Sequence, residues 1–152
     1  MIERTFAMIK PDGFGRRLVG EVIRRYEAKG LKLVGLKMQV VSDALAAKHY
    51  AEHAGKPFYP SLIKFITSGA TVQMVWQGEN AVEVVRKING ATNPQKADMG
   101  TIRGDLATIT QCNIVHASDS TETAAHEIAL YFNESELWNH TMPDDAWLTD
   151  AS

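Results

Sequence analysis

Cysteine is nearly absent from this sequence, since Cys112 is the single example among 152 residues. An internal disulfide is therefore excluded, and this usage suits a reducing compartment. Long apolar runs are absent too: none approaches the roughly 20 residues of a transmembrane helix. The opening residues Met1-Ile2-Glu3-Arg4 lack the pattern of a signal peptide. These absences predict a cytoplasmic protein with no membrane partner.

An excess of charge of one sign is also missing. The sequence has 16 Lys and Arg against 18 Asp and Glu, which gives a formal net charge of -2. This balance argues against a protein that coats nucleic acid, so any phosphate-binding site must be local. With 45% hydrophobic and 22% charged residues, the chain suits one compact domain over residues 1–152.

The two standard nucleotide-binding loops do not occur. No Gly-x-x-x-x-Gly-Lys-Ser/Thr is found, and Gly13-Phe14-Gly15 lacks the third glycine of a dinucleotide fingerprint. The connection over 91–112 has no sustained period, and such length usually has a functional reason. Side chains that can bind phosphate lie in it and at predicted element ends: Lys10, Arg86, Thr92, Arg103 and Asn113.

Hydrophobic periodicity predicts alternating strands and helices. The strand over 31–41 is expected to bury one face, and Asn80 with Glu83 is expected to cap a helix. That buried face is formed by Val34, Leu36, Met38 and Val40. The predicted strands cover 2–10, 31–41, 70–77 and 113–117, and the predicted helices cover 19–29, 44–53, 60–67, 81–89 and 124–132.

This order predicts an α+β sandwich of the ferredoxin-like βαββαβ type. A four-stranded antiparallel sheet is expected to be covered by helices on one face. A helical hairpin is inserted after the second strand, and residues 133–152 form an irregular C-terminal tail.

Two histidine patterns could carry chemistry. His116 lies where the apolar run Asn113-Ile114-Val115 gives way to a helix, and element boundaries of this kind display reactive side chains. The second pattern, His49-x-x-Glu52-His53, matches the inverted zinc-protease motif. A catalytic zinc needs a third protein ligand, and nothing downstream supplies one. We therefore interpret this second pair as histidines on a solvated helix face.

The segment from Asn113 to Ser120, Asn-Ile-Val-His-Ala-Ser-Asp-Ser, resembles the active-site signature of nucleoside diphosphate kinases. The resemblance extends over essentially the whole chain. The other matching blocks are Glu3-Arg4-Thr5-Phe6 with Ile9-Lys10-Pro11-Asp12-Gly13, Leu33-Val34-Gly35-Leu36-Lys37, His49-Tyr50 with Pro57-Phe58, Thr92-Asn93-Pro94, and Gly100-Thr101-Ile102-Arg103-Gly104-Asp105.

This resemblance implies ping-pong transfer of the γ-phosphoryl group from a nucleoside triphosphate, usually ATP, to a nucleoside diphosphate through a phosphohistidine on His116. Tyr50, Ser118 and Glu127 would orient the imidazole, although periodicity alone leaves Glu127 on the flank of its helix. Lys10 would contact the sugar and phosphates and assist catalysis. The implied nucleotide contacts are Lys10, Phe58, Leu62, Arg86, Thr92, Arg103 and Asn113, with Asn113 at the ribose and Phe58 and Leu62 at the base.

The resemblance also implies a cofactor and an assembly. Mg²⁺ would bind through the nucleotide phosphates, without protein side-chain ligands. Stacking on Phe58 uses the face of any base, so broad base specificity follows. A homo-oligomer is expected, a hexamer rather than a tetramer, with the tail over 133–152 at its contacts. The ending Trp147-Leu148-Thr149-Asp150 departs from the usual ending of the hexameric branch.

Two further positions depart from the family pattern. Ala117 replaces the usual glycine after the nucleophile, which would strain a backbone with positive φ by roughly 1 kcal/mol. Met99 replaces a proline before Gly100, which predicts a softer loop.

Two other classes of protein compete with this interpretation. The same strand-helix order builds RNA-recognition modules, but those need an aromatic-rich block on the third strand, and Ala70-Thr71-Val72-Gln73-Met74 is not one. No dedicated nucleic-acid partner is therefore expected. A purely structural subunit would not need the complete set of phosphate ligands.

Overall fold

The computed structural model describes residues 1–150. Its strands are β1 (Ile2–Ile9), β2 (Lys32–Gln39), β3 (Thr71–Glu79) and β4 (Val115–Ala117). Its helices are α1 (Pro11–Gly15), α2 (Val19–Ala28), α3 (Asp43–His49), α4 (Tyr59–Ile66), α5 (Ala81–Asn89), α6 (Ile102–Leu106), α7 (Thr121–Tyr131) and α8 (Asp145–Leu148). No helix within these residues is long and apolar enough to cross a membrane.

The four strands form one antiparallel sheet in the order β2-β3-β1-β4. Strand β1 lies between β3 and β4, and its residue Met8 pairs with His116. The predicted α+β class with a four-stranded antiparallel sheet and an inserted helical hairpin, α3 and α4, is confirmed. This topology brings the end of β1 and the whole of β4 side by side, although more than a hundred residues separate them in the sequence.

Helices cover both faces of the sheet, so the expectation of helices on one face is wrong. Alternate residues of a strand point to opposite faces, and Ala7 and Ile9 pack against α2 and α5, whereas Phe6 and Met8 pack against α3, α4 and α7. The inserted hairpin and the last long helix supply the second cover, which we call the α7 face. Helices thus cover most of the sheet on both faces, and the side chains of β1 between them are buried.

The predicted buried face of the second strand is right at Val34 and wrong at Leu36, Met38 and Val40. A β-bulge between Leu33 and Gly35 places Val34 in the core of the α7 face. After the bulge, Leu36 and Met38 pair with Met74 and Val72, so they lie on the opposite face. Because β2 is the edge strand and the helices there do not extend over it, both side chains are exposed, as is Val40 just beyond the strand.

The start of α5 differs from its sequence prediction. Asn80 has φ +50 and makes no capping hydrogen bond with its side chain. The carboxylate of Glu3, at the start of β1, instead accepts a hydrogen bond of 3.3 Å from the Val82 N–H. The helix begins because a residue far away in sequence satisfies one of its free donors.

Part of the tail packs against the rest of its own chain. Leu137 packs into the core of the α7 face, and Leu148 lies directly over Gly30. Trp138 and Trp147 remain largely exposed. The tail therefore divides into residues that complete this subunit and residues that leave apolar surface open.

Candidate active site

His116 lies in β4 with its side chain on the α7 face. Its neighbours Val115 and Ala117 point the other way, into the core under α2 and α5. The helix that follows is capped by Ser120, whose hydroxyl accepts a hydrogen bond from the Thr123 N–H at 3.1 Å. The predicted strand-to-helix boundary at His116 is thus confirmed. Its imidazole is 28% exposed, which leaves it open to a cavity.

One ring nitrogen of His116 is occupied by a carboxylate. The Nε2 atom lies 3.0 and 2.9 Å from the two carboxylate oxygens of Glu127. An ionised carboxylate can only accept, so Nε2 carries the hydrogen of the neutral ring. The lone pair of the neutral imidazole is therefore on Nδ1.

Ser118 contacts the carboxylate of the His116–Glu127 pair on the side away from the cavity. Its buried hydroxyl donates a short hydrogen bond to Oε1 of Glu127. Burial of Glu127 by itself would raise the pKa of its carboxyl, but hydrogen bonds and charge from His116, together with the bond from Ser118, outweigh burial and lower the pKa. The carboxylate is therefore ionised near neutral pH.

Two residues that the sequence interpretation missed complete the cluster. The His49 ring lies edge-on to His116 with centroids 4.8 Å apart, and its Nε2 is 3.8 Å from Glu127. Its Nδ1 is hydrogen-bonded to the Tyr131 hydroxyl at 3.0 Å. His49 is thus part of the active cluster, not of a solvated helix face. His53 lies apart from it, next to Lys56.

Burial explains the state of His49. Loss of solvent contact, followed by the neighbouring His116, lowers the pKa of His49 to about 3. The ring is therefore neutral at physiological pH. Because the side chain is only 2% exposed, this neutral ring forms a fixed wall beside the nucleophile position.

A cationic group lines the same cavity as His116. Lys10, at the end of β1, donates from Nζ to Oδ1 of Asn113 at 2.7 Å. Burial lowers the pKa of Lys10 to about 8, although the charge of Asp12 opposes this shift. Asn113 in turn donates to the Thr92 carbonyl at 2.9 Å. The lysine is thus positively charged at neutral pH and held in place.

Arg103 is anchored by backbone carbonyls. Its Nε, Nη1 and Nη2 atoms donate to the carbonyls of Asn113, Gly90 and Val115 at 3.2, 2.8 and 2.6 Å. A guanidinium has five N–H groups, so two remain for a ligand. Arg103 lies on α6, within the connection over 91–112. Its side chain is buried against β4.

A cavity of about 1120 Å³ brings most of the predicted site residues together. Those that line it are Lys10, Tyr50, Arg86, Thr92, Arg103, Asn113, His116 and Glu127. Three predicted residues do not line it. Ser118 is buried behind Glu127, and Phe58 and Leu62 lie at the start of α4. Phe58 is half exposed, and its ring contacts the His53 ring and the ammonium group of Lys56.

The two departures from the family pattern, Ala117 and Met99, lie in a strand and in an exposed loop, respectively. Ala117 has no positive φ and lies in β4, so the expected strain there is absent; the residue with positive φ is Ile114, at +76. Met99 is 80% exposed in its loop. The backbone strain of this region therefore lies two residues before His116.

A signal for Glu127 was present in the sequence. Ala124, Glu127 and Tyr131 are buried along one side of α7. Their spacing of three and four residues is the helical one, so Glu127 lies on the buried stripe and not on its flank. A carboxylate inside an apolar stripe is rarely buried without a partner.

Comparison with known proteins identifies the family of this chain. The pattern of the family described as nucleoside diphosphate kinase matches residues 3–137. The chain is 56% identical to a nucleoside diphosphate kinase of Methanosarcina mazei, over 97% of this chain and 99% of that protein. A similar enzyme of Picosynechococcus is also 56% identical over the same shares.

Solved structures give the same result. The halophilic nucleoside diphosphate kinase of Halobacterium salinarum, solved in complex with CDP, superposes with a TM-score of 0.95 at 45% identity, covering 99% of this chain and all of that one. A family protein from Babesia bovis superposes with a TM-score of 0.93 at 43% identity, covering 95% of this chain and 98% of that one. The chain belongs to the nucleoside diphosphate kinase family, enzymes that transfer a phosphoryl group between nucleoside tri- and diphosphates.

Proposed function

We propose that His116 is the residue of this nucleoside diphosphate kinase that carries the phosphoryl group. The observation that supports this most directly is the pair of contacts between Nε2 and Glu127. They leave the Nδ1 lone pair as the nucleophile, on the open side of the ring. Tyr50, His49 and Ser118 restrict how the ring and the carboxylate can move.

The reaction has two half-steps. The Nδ1 lone pair of His116 forms a bond to the γ-phosphorus, the bond from that phosphorus to the β,γ-bridging oxygen breaks, and its electrons leave with the nucleoside diphosphate. The ring gains positive character, which the Glu127 carboxylate stabilises through the Nε2 hydrogen. A second diphosphate then takes the phosphoryl group by the reverse of these events, which is ping-pong transfer.

The cationic side of the cavity binds the polyphosphate. Lys10, Arg86 and Arg103 offset the charge that accumulates around the γ-phosphoryl group, each by about 4 kcal/mol at 4 Å and an effective dielectric constant of 20. Thr92 donates to a phosphate oxygen, and Lys10 and Asn113 contact the ribose hydroxyls. The complex of the Halobacterium relative with CDP supports a nucleotide in this cavity.

The base lies toward α4 in this proposal. Phe58 and Leu62 stand at the start of that helix, with Phe58 exposed enough to accept a stacked ring. Stacking on an aromatic face does not select hydrogen-bonding groups, which gives acceptance of purines and pyrimidines alike.

We assign Mg²⁺ as the metal of the nucleotide substrate. Within the described residues, the one cluster of His, Cys, Asp and Glu close enough to share an ion is His49, His116 and Glu127. Two imidazoles suit zinc better than Mg²⁺, which prefers oxygen ligands. The nucleotide phosphates would therefore hold the Mg²⁺, and the ion would supply charge neutralisation there.

The whole molecule is proposed to be a cytoplasmic homo-oligomer, a hexamer in preference to a tetramer. The exposed apolar side chains of β2 and of the tail support an assembly. They are Leu36, Met38, Trp138 and Trp147. Burying such residues between subunits removes apolar surface from water.

A labelling experiment tests the covalent step. Incubation with ATP labelled at the γ-phosphate and no acceptor is expected to give acid-labile label on the protein, and addition of any nucleoside diphosphate is expected to remove it. His116→Ala is expected to take up no label, whereas the control His140→Gln, in the tail, is expected to be labelled normally. Label that persists in His116→Ala contradicts the assignment.

A further inference from the structure

Ile114 has an unusual backbone conformation for its residue type. Its φ is +76, and its side chain is fully buried. A β-branched residue in this region is a genuine outlier, because the Cβ atom crowds the backbone. Such strain persists only where the surroundings enforce it, and it is concentrated at functional sites. The residues that contact Ile114 therefore hold its backbone in this conformation.

Three residues of the segment Lys10-Pro11-Asp12-Gly13 act on Ile114. The backbone N–H of Lys10 donates to the Ile114 carbonyl at 2.8 Å. The Asp12 carboxylate accepts a hydrogen bond of 3.0 Å from the Ile114 N–H. A Cβ atom at Gly13 would lie 2.9 Å from Cγ2 and 3.0 Å from the carbonyl oxygen of Ile114. The segment therefore bonds both polar groups of Ile114 and leaves room for its side chain.

Asp12 is the member of this segment whose side chain holds the strained residue. Its second oxygen, Oδ1, is buried and has no hydrogen-bond partner among residues 1–150. Burying an unpaired carboxylate oxygen is unfavourable. The charge of Asp12 nevertheless interacts favourably with Lys10, since it opposes the lowering of the Lys10 pKa. Asp12 is thus linked to the cavity through Lys10 as well as through Ile114.

The residues on either side of Ile114 belong to the site. Asn113 contacts Lys10, and Arg103 is anchored by the carbonyls of both Asn113 and Val115. Val115 leads directly to His116. A rotation of the backbone at Ile114 toward negative φ would turn the Asn113 side chain and the anchor of Arg103 relative to the imidazole.

We propose that Asp12 is a positioning residue for phosphoryl transfer. It holds Ile114 at positive φ and so fixes Lys10, Asn113 and Arg103 in register with the Nδ1 atom of His116. This inference rests on the proposed role of His116. Misplacement of reacting groups by about 1 Å reduces rates by about a hundredfold, which sets the scale of the expected effect.

The test compares two variants of Asp12. Asp12→Ala removes the acceptor and is expected to lower kcat/KM by about tenfold to a hundredfold, with KM for the nucleotide raised and the rate of phosphohistidine formation lowered. Asp12→Asn keeps an acceptor for the Ile114 N–H and is expected to stay within about threefold of the parent protein. Asp43→Ala is the matched control, because Asp43 also opens a short helix but is remote from Ile114.

The outcomes separate this inference from the proposed function. A lower melting temperature of Asp12→Ala with unchanged kcat and KM overturns it, since Asp12 would then be purely structural. Equal losses in Asp12→Asn and Asp12→Ala also overturn it, because charge and not the hydrogen bond would matter. If Asp12→Ala does not fold, Asp12→Glu gives the same comparison by moving the carboxylate outward by one methylene. Failure to label His116 in the parent protein would instead contradict the proposed function.

Discussion

At the scale of single residues, the site depends on which groups near Glu127 are charged. The carboxylate lies close to two imidazoles, those of His116 at 2.9 Å and His49 at 3.8 Å. If His49 were protonated, its charge would compete with His116 for the same carboxylate. Burial keeps His49 neutral, so the short contact goes to His116 and fixes its tautomer. The His49 ring thus has an electrostatic role as well as a steric one.

The buried state of His49 predicts a dependence of stability on pH. Its pKa is about 3 in the folded protein and near 6.5 in the unfolded chain, so the unfolded chain binds more protons between these values. The free energy of unfolding is therefore highest above pH 6.5 and falls as the pH is lowered, by at most about 1.4 kcal/mol per pH unit from this residue. Urea denaturation at pH 7.5 and 5.5 measures the loss.

His49→Gln serves as the control for that measurement. Glutamine does not titrate, so the variant is expected to lose less stability than the parent protein over the same two pH values. Both pH values lie above the lowered pKa of Glu127, so this carboxylate stays ionised throughout and does not obscure the comparison. An unchanged loss in His49→Gln would show that His49 is not the group responsible.

At the scale of elements, the starts of two helices show what local sequence can and cannot indicate. Ser120 caps α7 as its spacing to Thr123 indicates, because both groups lie within one turn. Asn80 has the same kind of spacing to Glu83, yet its backbone is left-handed and Glu3 bonds the helix instead. A sequence pattern that spans three residues cannot indicate a competing partner from β1.

Substitutions of Asn80 distinguish a side-chain cap from a left-handed residue that does not cap the helix. Asn80→Gly is expected to leave the free energy of unfolding unchanged or raise it, because glycine adopts positive φ without strain. Asn80→Ser is expected to lower it by about 1 kcal/mol, since serine is a good cap but a poor left-handed residue. Thermal unfolding of both variants supplies the measurement. The opposite order of stabilities would restore Asn80 as a side-chain cap.

The elements that the sequence missed are short or depend on packing. The helices α1, α6 and α8 contain 5, 5 and 4 residues, too few to show a helical period. In β2 the alternating pattern was present, but one extra residue at Val34 exchanged the faces after it. The longer elements were predicted because their apolar residues recur often enough to identify the period.

At the scale of the molecule, the site is assembled by the sheet from distant parts of the chain. Lys10 and Asn113 are in contact across 103 positions, and Asp12 and Ile114 across 102. Periodicity predicted the strands that bring them together but not these pairs. The resemblance to the family supplied the proposed nucleotide contacts. It gave no role to His49, Tyr131 or Asp12, which stand out in the structure by their burial and hydrogen bonds.

The edge strand β2 gives a prediction for the assembled molecule. Leu36 is 50% exposed and Met38 65% exposed, on a strand at the edge of the sheet. Burying one such side chain contributes about 1.5 to 3 kcal/mol, so a charge there opposes association on each copy of the interface. If the proposed hexamer forms, light scattering gives about six times the subunit mass of 16.8 kDa, and Met38→Lys is expected to reduce this mass. Ala125→Lys, on the exposed side of α7, is expected to leave it unchanged. A Met38→Lys protein of unaltered mass would place the subunit contacts elsewhere, on the tail around Trp138 and Trp147.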